Sequence, residues 1–286
     1  MLHLLLMLAA LVGGGPPASN AAAPCDGSAP HRYRHVVLIV MENHDFEQVA
    51  SGSPYLDGLA AKCGLATNHI NIVHPSLPNY IALTSGATQG ITDDCTSCST
   101  GADSIFGQLG SRWTSYLEGM PSVGFTGATS GRYAKKHNPA AYYTAISGAY
   151  RTRAVPMGSP SAGRLAADLQ SGDLAPYSLI IPDLCNDEHD CPLQTGDTWL
   201  SEWVPVLLRS PAYVSGDTLL VITYDETESG DGRIYTVVVA PSVRPGTRSA
   251  APLTHYGLLR LAQTELGLPL LGEARNAPDP RAAFHL

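Results

Sequence analysis

Uninterrupted apolar runs of five to seven residues recur along the chain and predict buried β-strands. Runs of this kind, rich in β-branched residues, are typical of strands that are covered on both faces, as in parallel sheets. Stretches with the helical spacing of apolar residues lie between them. The predicted strands are residues 35–41, 177–181, 218–223 and 234–240, and the predicted helices are residues 55–63, 78–86, 105–117, 162–169, 199–209 and 254–266.

The alternation of strands and helices predicts an α/β fold with a mostly parallel central sheet flanked by helices. The pattern shows no internal repeat and no linker, so we expect a single domain over residues 24–286. From residue 272 the chain is polar and rich in proline, and we expect a loosely ordered tail there.

The first 23 residues differ from the rest in composition. An apolar run at positions 4–12 precedes Gly, Pro and Ala residues, which is the pattern of a secretory signal peptide, although no Lys or Arg stands before the run. The alternatives are an unprocessed apolar tail and a lipid-anchored form. The run is too short to span a bilayer and no other segment approaches that length, so we predict secretion without stable membrane insertion.

The formal net charge of −8 argues against a nucleic-acid partner, because binding to a phosphate backbone needs a basic surface. It leaves open a small phosphorylated substrate, since a bound metal ion supplies positive charge locally.

The chain contains six cysteines, all after residue 23. The spacing favours the pairs Cys95–Cys98 and Cys185–Cys191, which leaves Cys25 with Cys63, but six cysteines allow fifteen connectivities. A zinc site is the competing interpretation. In an exported protein we expect disulfides instead.

Acidic and amide residues follow three of the predicted strands. The carboxyl ends of parallel strands lie along one edge of a sheet, where open α/β sheets bind ligands. One such group alone is more often a helix cap, but several carboxylates at one edge repel each other unless a cation neutralises them. Oxygen ligands suit a hard or borderline divalent ion. The residues are Glu42 and Asn43, then Asp183 with Asn186, Asp187, Glu188, His189 and Asp190, then Asp225 and Glu226.

Ser76 stands where a helix is expected to begin, between two prolines. Backbone N–H groups and the helix dipole at that position lower the cost of an alkoxide and of a nearby phosphate, and a metal ion lowers it further. Asn79, about one turn later, is placed to donate to a phosphoryl oxygen. When each residue is considered alone, the more common interpretation is that Ser76 caps the helix and Asn79 is a surface amide. A Ser-His-Asp hydrolase is the rival, but no G-x-S-x-G motif surrounds Ser76.

Several short motifs occur in an order that resembles the bacterial phosphoesterase family of secreted acid phosphatases and phospholipases C, which is part of the alkaline phosphatase superfamily. The resemblance covers nearly the whole chain after the leader. The motifs are Val40-Met-Glu-Asn-His44, His74-Pro-Ser-Leu-Pro-Asn-Tyr80, Thr84-Ser-Gly86, Asn186-Asp-Glu-His-Asp-Cys191, Thr223-Tyr-Asp-Glu226 and Thr254-His-Tyr256.

The resemblance implies roles for several residues of these motifs and of a further matching segment, Lys135-Lys-His-Asn-Pro139. Ser76 is expected to be the nucleophile and to form a phosphoserine intermediate, and His189 a general acid or a phosphate contact. Asn79, Lys136 and His137 are expected to bind substrate. Glu42, Asn43, Asp225 and Glu226 are expected to bind the divalent metal, for which we prefer a single site. Further candidates are His255, where the wider superfamily often has a metal-site histidine, and the strand-end residues Asp183 and Asp187.

Larger phospholipase C members of this family carry extra C-terminal domains, which favours a monoester phosphatase for the present chain. Some of the short secreted acid phosphatases act on phosphatidylinositol 3-phosphate. We therefore expect a monomeric secreted acid phosphatase whose partner is a small phosphomonoester or a phosphoinositide head group. The alternatives are a phosphodiesterase or phospholipase C, and a catalytically inactive secreted binding protein.

Overall fold

The computed structural model describes residues 23–286, which form ten strands and ten α-helices. The strands are β1 (His35–Met41), β2 (Gly64–Ile70), β3 (Trp113–Leu117), β4 (Thr129–Ser130), β5 (Tyr133–Ala134), β6 (Ala154–Pro156), β7 (Tyr177–Ile181), β8 (Thr218–Tyr224), β9 (Arg233–Val239) and β10 (Thr247–Ser249). The helices are α1 (Phe46–Gly52), α2 (Pro54–Lys62), α3 (Ser76–Ser85), α4 (Ile105–Leu109), α5 (Ser147–Arg153), α6 (Arg164–Ser171), α7 (Leu193–Leu208), α8 (Pro211–Val214), α9 (His255–Glu265) and α10 (Arg281–Phe284).

Eight of the strands form one central sheet in the order β10-β2-β9-β8-β1-β7-β3-β6. Strand β1 lies inside this sheet, parallel to β8 on one side and to β7 on the other. Strand β9 is antiparallel to both of its neighbours, β8 and β2. The predicted fold class, a single α/β domain with a mostly parallel sheet, is therefore confirmed.

The interior strands are buried along their length, as the apolar runs predict. Every residue of β7 and β8 is buried, as is every residue of β1 after His35. Burial of this kind supplies most of the free energy that holds such a sheet together, at about 25 cal/mol per Å² of apolar surface. The sheet is thus a rigid base for the loops that follow its strands.

The helix predicted over residues 105–117 is wrong in its second half. Helix α4 ends at Leu109, and Gly110 follows with φ of 64°, a conformation that breaks the helix. The chain then enters β3, where Trp113 and Tyr116 are completely buried. A short run that is buried on both faces carries no period that separates helix from strand, which explains the error.

Strand β2 was not predicted, and its first residue is Gly64. A Cβ atom at Gly64 would lie 2.7 Å from Cδ1 of Phe284, so the glycine makes room for the C-terminal helix. Phe284 is buried, and the expectation of a loose tail is wrong for this region.

All six cysteines are paired in the structure, as Cys25–Cys63, Cys95–Cys98 and Cys185–Cys191. These are the pairs that the spacing favoured. The predicted signal peptide, residues 1–23, lies outside the described residues except for its last position. Among residues 23–286 there is no helix long and apolar enough to cross a membrane.

Candidate active site

The three acidic strand ends meet at one edge of the sheet. Strands β1, β7 and β8 are neighbours, and the loops that follow them are joined by backbone hydrogen bonds. The N–H of Glu42 donates to the carbonyl of Asp187 at 2.9 Å, and the N–H of Asp225 donates to the carbonyl of Met41 at 3.0 Å. The structure therefore brings together the groups that the sequence placed at this edge.

Ser76 is the first residue of α3 and is buried beside these carboxylates. Its Oγ donates to Oε2 of Glu42 at 3.0 Å and lies 3.3 Å from Oε1 of Glu226. A hydroxyl has one proton, so it donates to one of these oxygens at a time. The arrangement places a nucleophile-type oxygen within hydrogen-bonding distance of two proton acceptors.

Tyr80 is a site residue that the sequence analysis did not identify. Its hydroxyl donates to Oε1 of Glu42, and its ring stacks on that of His137 with centroids 5.5 Å apart. The available signal was its spacing from Ser76, since residues four apart on a helix share a face. Tyr80 thus fixes the orientation of the Glu42 carboxylate.

The Asn79 side chain is largely occupied with the loop that precedes α3. Its Oδ1 accepts the N–H groups of Ile72 and Val73 at 3.0 and 3.1 Å, and its Nδ2 lies 3.5 Å from Oε2 of Glu226. This geometry holds the loop against the helix. It leaves the amide nitrogen beside the carboxylates.

One face of the group has the donor atoms that a cation requires. An atom of the Asn43 side-chain amide lies 3.0 Å from Oε2 of Glu42 and 3.3 Å from Oδ1 of Asp225. With nitrogen at that position, Asn43 donates to both carboxylates. With oxygen there, three oxygens converge, as ligands do around a hard divalent ion. Oδ2 of Asp225 is buried and has no hydrogen-bond partner among residues 23–286, which also suits a ligand of a cation.

The other face of Glu42 adjoins two histidines. Donor atoms of Glu42, His137 and His189 all lie within 4.8 Å of one another, a spacing that could also hold a metal ion. Nδ1 of His137 lies 3.1 Å from Oδ2 of Asp187. Its Nε2 lies 3.2 Å from Oε1 of Glu42 but makes no hydrogen bond. The chemistry of this donor set suits a metal centre as well.

Burial of four carboxyl groups in one place changes their proton affinities. Burial raises the pKa of Glu42 well above its ordinary value, and the charges of Asp225 and Asp187 raise it further. Burial also raises the pKa of Asp225 to about 6, against the opposing effect of its backbone N–H donors. Burial and the charge of Asp225 raise the pKa of Glu226 to about 8. A cation among these groups would reverse the trend, because it favours the ionised forms.

His137 is neutral in this setting, because burial lowers its pKa well below the ordinary value and the charge of Lys136 lowers it further. Lys136 is only partly buried, and its Nζ lies 3.1 Å from Nε2 of His189 and 3.1 Å from Oδ2 of Asp94. Burial alone would lower the pKa of Lys136, but the carboxylates of Glu42 and Asp94 raise it overall. A fixed positive charge therefore stands beside the carboxylate group.

His189 is held by its own loop. Its N–H donates to Oδ1 of Asp187 at 2.9 Å, and its Nδ1 lies 2.7 Å from Oδ1 of Asp190. The ring is partly exposed, with its Nε2 directed to Lys136. Because an ammonium group only donates, Nε2 of His189 accepts from Lys136, and the ring proton lies on Nδ1, next to Asp190.

Two further candidates, Asp183 and His255, have other contacts. Oδ1 of Asp183 accepts the N–H groups of Cys185 and Asn186, both at 3.0 Å, and so shapes the turn after β7. Nε2 of His255 lies 2.5 Å from the carbonyl oxygen of Asp225. His255 therefore reaches the site through the backbone of that residue.

His74 lies at the mouth of the site, with about half of its side chain exposed. Its Nδ1 is 2.6 Å from Oε2 of Glu226. Its place two residues before Ser76 also suggests that His74 could orient the site, and this contact is of that kind.

Comparison with known folds agrees with this architecture. A solved structure of a protein in the alkaline phosphatase superfamily from Vibrio parahaemolyticus superposes with a TM-score of 0.61, covering 91% of this chain and 74% of that one. The sequences are 13% identical, so this likeness concerns the fold alone.

Sequence relatives identify the family. A phosphatidylinositol-3-phosphatase of Mycobacterium tuberculosis is 32% identical over 95% of this chain and 88% of its own length. An acid phosphatase of Aspergillus fumigatus is 30% identical over 92% of this chain, which spans 60% of the fungal protein. These matches confirm the prediction of a phosphoric monoester hydrolase. Residues 50–269 match the model of the Phosphoesterase family, and the chain therefore belongs to that family.

Proposed function

We propose that this protein is a secreted, metal-dependent acid phosphatase that hydrolyses phosphate monoesters through a phosphoserine formed on Ser76. The observation that carries the proposal is the position of Ser76 Oγ, 3.0 Å from Glu42 and 3.3 Å from Glu226 at the start of α3. A serine in that environment combines a proton acceptor with the positive end of a helix dipole.

The first chemical step is in-line attack of Ser76 Oγ on phosphorus. The serine proton passes to the adjacent carboxylate of Glu226, which His74 orients. Glu42 is assigned to the metal ion, and Tyr80 orients it through its hydrogen bond. The bond from phosphorus to the alcohol oxygen breaks as the bond to Oγ forms, so the phosphoryl group is transferred to the serine.

Glu42, Asn43 and Asp225 would hold the divalent ion, with Glu226 beside them. The fit rests on the three converging side chains and on the unpartnered Oδ2 of Asp225. When bound there, the ion would lower the pKa of the serine hydroxyl and offset charge on the phosphoryl oxygens. We prefer a single ion at this face.

Lys136 and His189 complete the site on its accessible side. The ammonium group of Lys136 would contact the phosphoryl oxygens, where positive charge stabilises the transferring group. His189 Nε2, which accepts from Lys136, would take a proton from the attacking water, and once protonated it would serve as general acid to the departing alcohol. His137 supports both by fixing Asp187, which in turn holds the His189 backbone.

The substrate class follows from the relatives. The Mycobacterium protein is named for phosphatidylinositol 3-phosphate and the fungal proteins as acid phosphatases. We propose the same substrate class for this chain, namely a small phosphomonoester or a phosphoinositide head group. Secretion is supported by the leader pattern and by three disulfides, which persist in oxidising compartments.

Replacing the nucleophile tests the mechanism. We expect Ser76→Ala to lower the turnover of an aryl phosphate by at least about a thousandfold, because nucleophile removal is among the most damaging changes to such enzymes. Ser85→Ala is the matched control, since Ser85 lies buried in the same helix and bonds to the carbonyl of Ile81 away from the carboxylates. Activity near that of wild type in Ser76→Ala would remove Ser76 from the mechanism.

Two further measurements separate the parts of the proposal. Intact-mass spectrometry after an acid quench should detect one added phosphoryl group on the wild type and none on Ser76→Ala. Dialysis against a chelator should abolish turnover, and a divalent ion should restore it. With phosphatidylinositol 3-phosphate, release of inorganic phosphate supports a phosphatase, whereas release of diacylglycerol indicates a phospholipase C.

A further inference from the structure

Asp94 lies in the 93–98 loop, which the Cys95–Cys98 disulfide closes, and the mechanism above gives it no role. Its carboxylate nevertheless reaches the nucleophile helix. Oδ1 accepts the N–H of Leu77 at 2.9 Å, and Oδ2 lies 3.1 Å from Nζ of Lys136. One carboxylate therefore bridges two donors that come from distant parts of the chain.

Both donors belong to the region where the phosphoryl group must bind. Leu77 directly follows Ser76, so its N–H points from the first turn of α3 beside the nucleophile. Lys136 supplies the positive charge next to His189. Helix N-termini and ammonium groups are the usual binding partners of phosphate oxygens. The Asp94 carboxylate therefore occupies two donors, Leu77 N–H and Lys136 Nζ, that an incoming phosphate would otherwise bind.

A hydrogen bond and a disulfide fix the loop that carries Asp94. Nζ of Lys135 donates to the carbonyl of Thr96 at 2.7 Å and so ties the 93–98 loop to the same turn that carries Lys136. The Cys95–Cys98 disulfide, which brackets Thr96, restricts the same part of the loop, directly after Asp94. The carboxylate is therefore set in place by the fold and does not depend on a mobile segment.

The charge of Asp94 also extends to the catalytic carboxylates, since it is one of the groups that raise the pKa of Glu226 after burial and Asp225. A phosphate dianion that enters the site must either displace the Asp94 carboxylate from its two donors or bind next to it. Either course weakens the binding of a doubly charged anion more than that of a singly charged one.

We propose that Asp94 is a specificity-determining residue that limits the affinity of the site for the phosphate dianion, and so favours release of inorganic phosphate after hydrolysis. The inference rests on the proposed function, because it assigns Leu77 N–H and Lys136 to phosphate binding. It predicts that a neutral side chain of the same shape strengthens product inhibition.

The test compares Asp94→Asn with Asp93→Asn in the full-length, metal-loaded protein. Asp93 is the matched control, since it is exposed in the same loop and bonds to the N–H of Cys95 without reaching the site. The dissociation constant of inorganic phosphate is measured by titration calorimetry at neutral pH. We expect it to fall roughly tenfold in Asp94→Asn, as removal of one like charge at close range implies, and to stay unchanged in Asp93→Asn.

Kinetics supply a readout that a purely structural role would not move. In Asp94→Asn the inhibition constant of inorganic phosphate and the KM of an aryl phosphate should both fall, while thermal stability stays that of the wild type. The Asp94→Ser variant, which is neutral and shorter, should show the same direction. Unchanged or weaker phosphate binding in both variants would overturn the proposal, because Asp94 would then serve only to hold Lys136.

The outcome is separable from that of the proposed function. A wild type that turns over no phosphate ester would refute the proposed function, yet calorimetry would still report whether Asp94 opposes phosphate binding. Normal turnover with equal phosphate affinity in wild type and Asp94→Asn would refute the Asp94 proposal alone.

Discussion

Asp225→Asn offers a direct test of the electrostatics of the carboxylate group. Burial raises the pKa of Asp225 from 3.8 to about 6 in the folded protein without metal. Oδ1 of Asp225 accepts the N–H groups of Asn43 and Glu226, which an asparagine oxygen can still accept. Oδ2 has no partner to lose. The substitution therefore removes the charge and preserves the local hydrogen bonds.

The expected size follows from linkage between ionisation and folding. One pKa unit is worth about 1.4 kcal/mol, so the ionisation of Asp225 lowers the free energy of unfolding by about 3 kcal/mol at high pH. The sign follows from the raised folded pKa: the stability is fully present below about pH 4 and is lost as the pH rises through about 6. For a domain of this size that loss corresponds to a melting temperature about 5 °C lower.

The assay is thermal unfolding of chelator-treated protein at about pH 4 and pH 7, chosen to span the titration window. We expect the melting temperature of Asp225→Asn, relative to wild type, to rise by about 4 °C between the two conditions. A divalent ion at pH 7 should stabilise the wild type, through mass action on the folded state, and should stabilise the variant much less. Ser85→Ala, which changes no carboxylate, is the control.

Two results would refute the reasoning. If the difference between variant and wild type is the same at both pH values, then ionised Asp225 is not costly in the folded protein. If the ion stabilises both proteins equally, Asp225 does not contact it.

Two other predictions concern residues that support the site. We expect His255→Leu to weaken divalent-ion binding about tenfold by calorimetry and His255→Gln to retain more of it, because the lost hydrogen bond orients the Asp225 backbone; equal affinities would contradict this role. We expect Gly86→Ala to destabilise by more than about 1 kcal/mol, since φ is 80° and a Cβ would lie 2.4 Å from the carbonyl oxygen of Leu271. Gly58→Ala, in open space within α2, should be neutral or stabilising in the same unfolding assay.

The parts of the site that follow strands could be predicted from the sequence. The apolar run of β1 indicates a buried strand, and Glu42 directly follows it. The parallel arrangement of β1, β7 and β8 then places the acidic loops together without any knowledge of side-chain contacts. The sequence therefore predicts both the fold class and the convergence of the strand ends.

Contacts that depend on the burial of polar side chains could not be predicted from the sequence. Strand β2 contains Thr67, Asn68 and His69, so its pattern indicates a loop. In the structure His69 is completely buried and lies 2.7 Å from Oγ1 of Thr236, a partner on β9. The favourable burial of such a residue depends on a hydrogen bond across the sheet, which no local pattern records.

Asp94 illustrates the same limit within the site. Its partner Lys136 is 42 positions away, and the loop between them has no periodic signal that fixes their distance. Tyr80, by contrast, lies on the face of α3 that also carries Ser76, so helical spacing alone could have suggested it.

The pairing of β1 with β8 also determines when activity can arise. Asn43 and Asp225 are 182 positions apart in the chain, yet the register Met41 to Tyr224 makes them neighbours. A ribosome must therefore complete most of the polypeptide before these groups can meet, and fragments that end before β8 have no functional centre. During refolding from denaturant, recovered activity should report closure of the whole sheet, which is slow for contacts so distant in sequence.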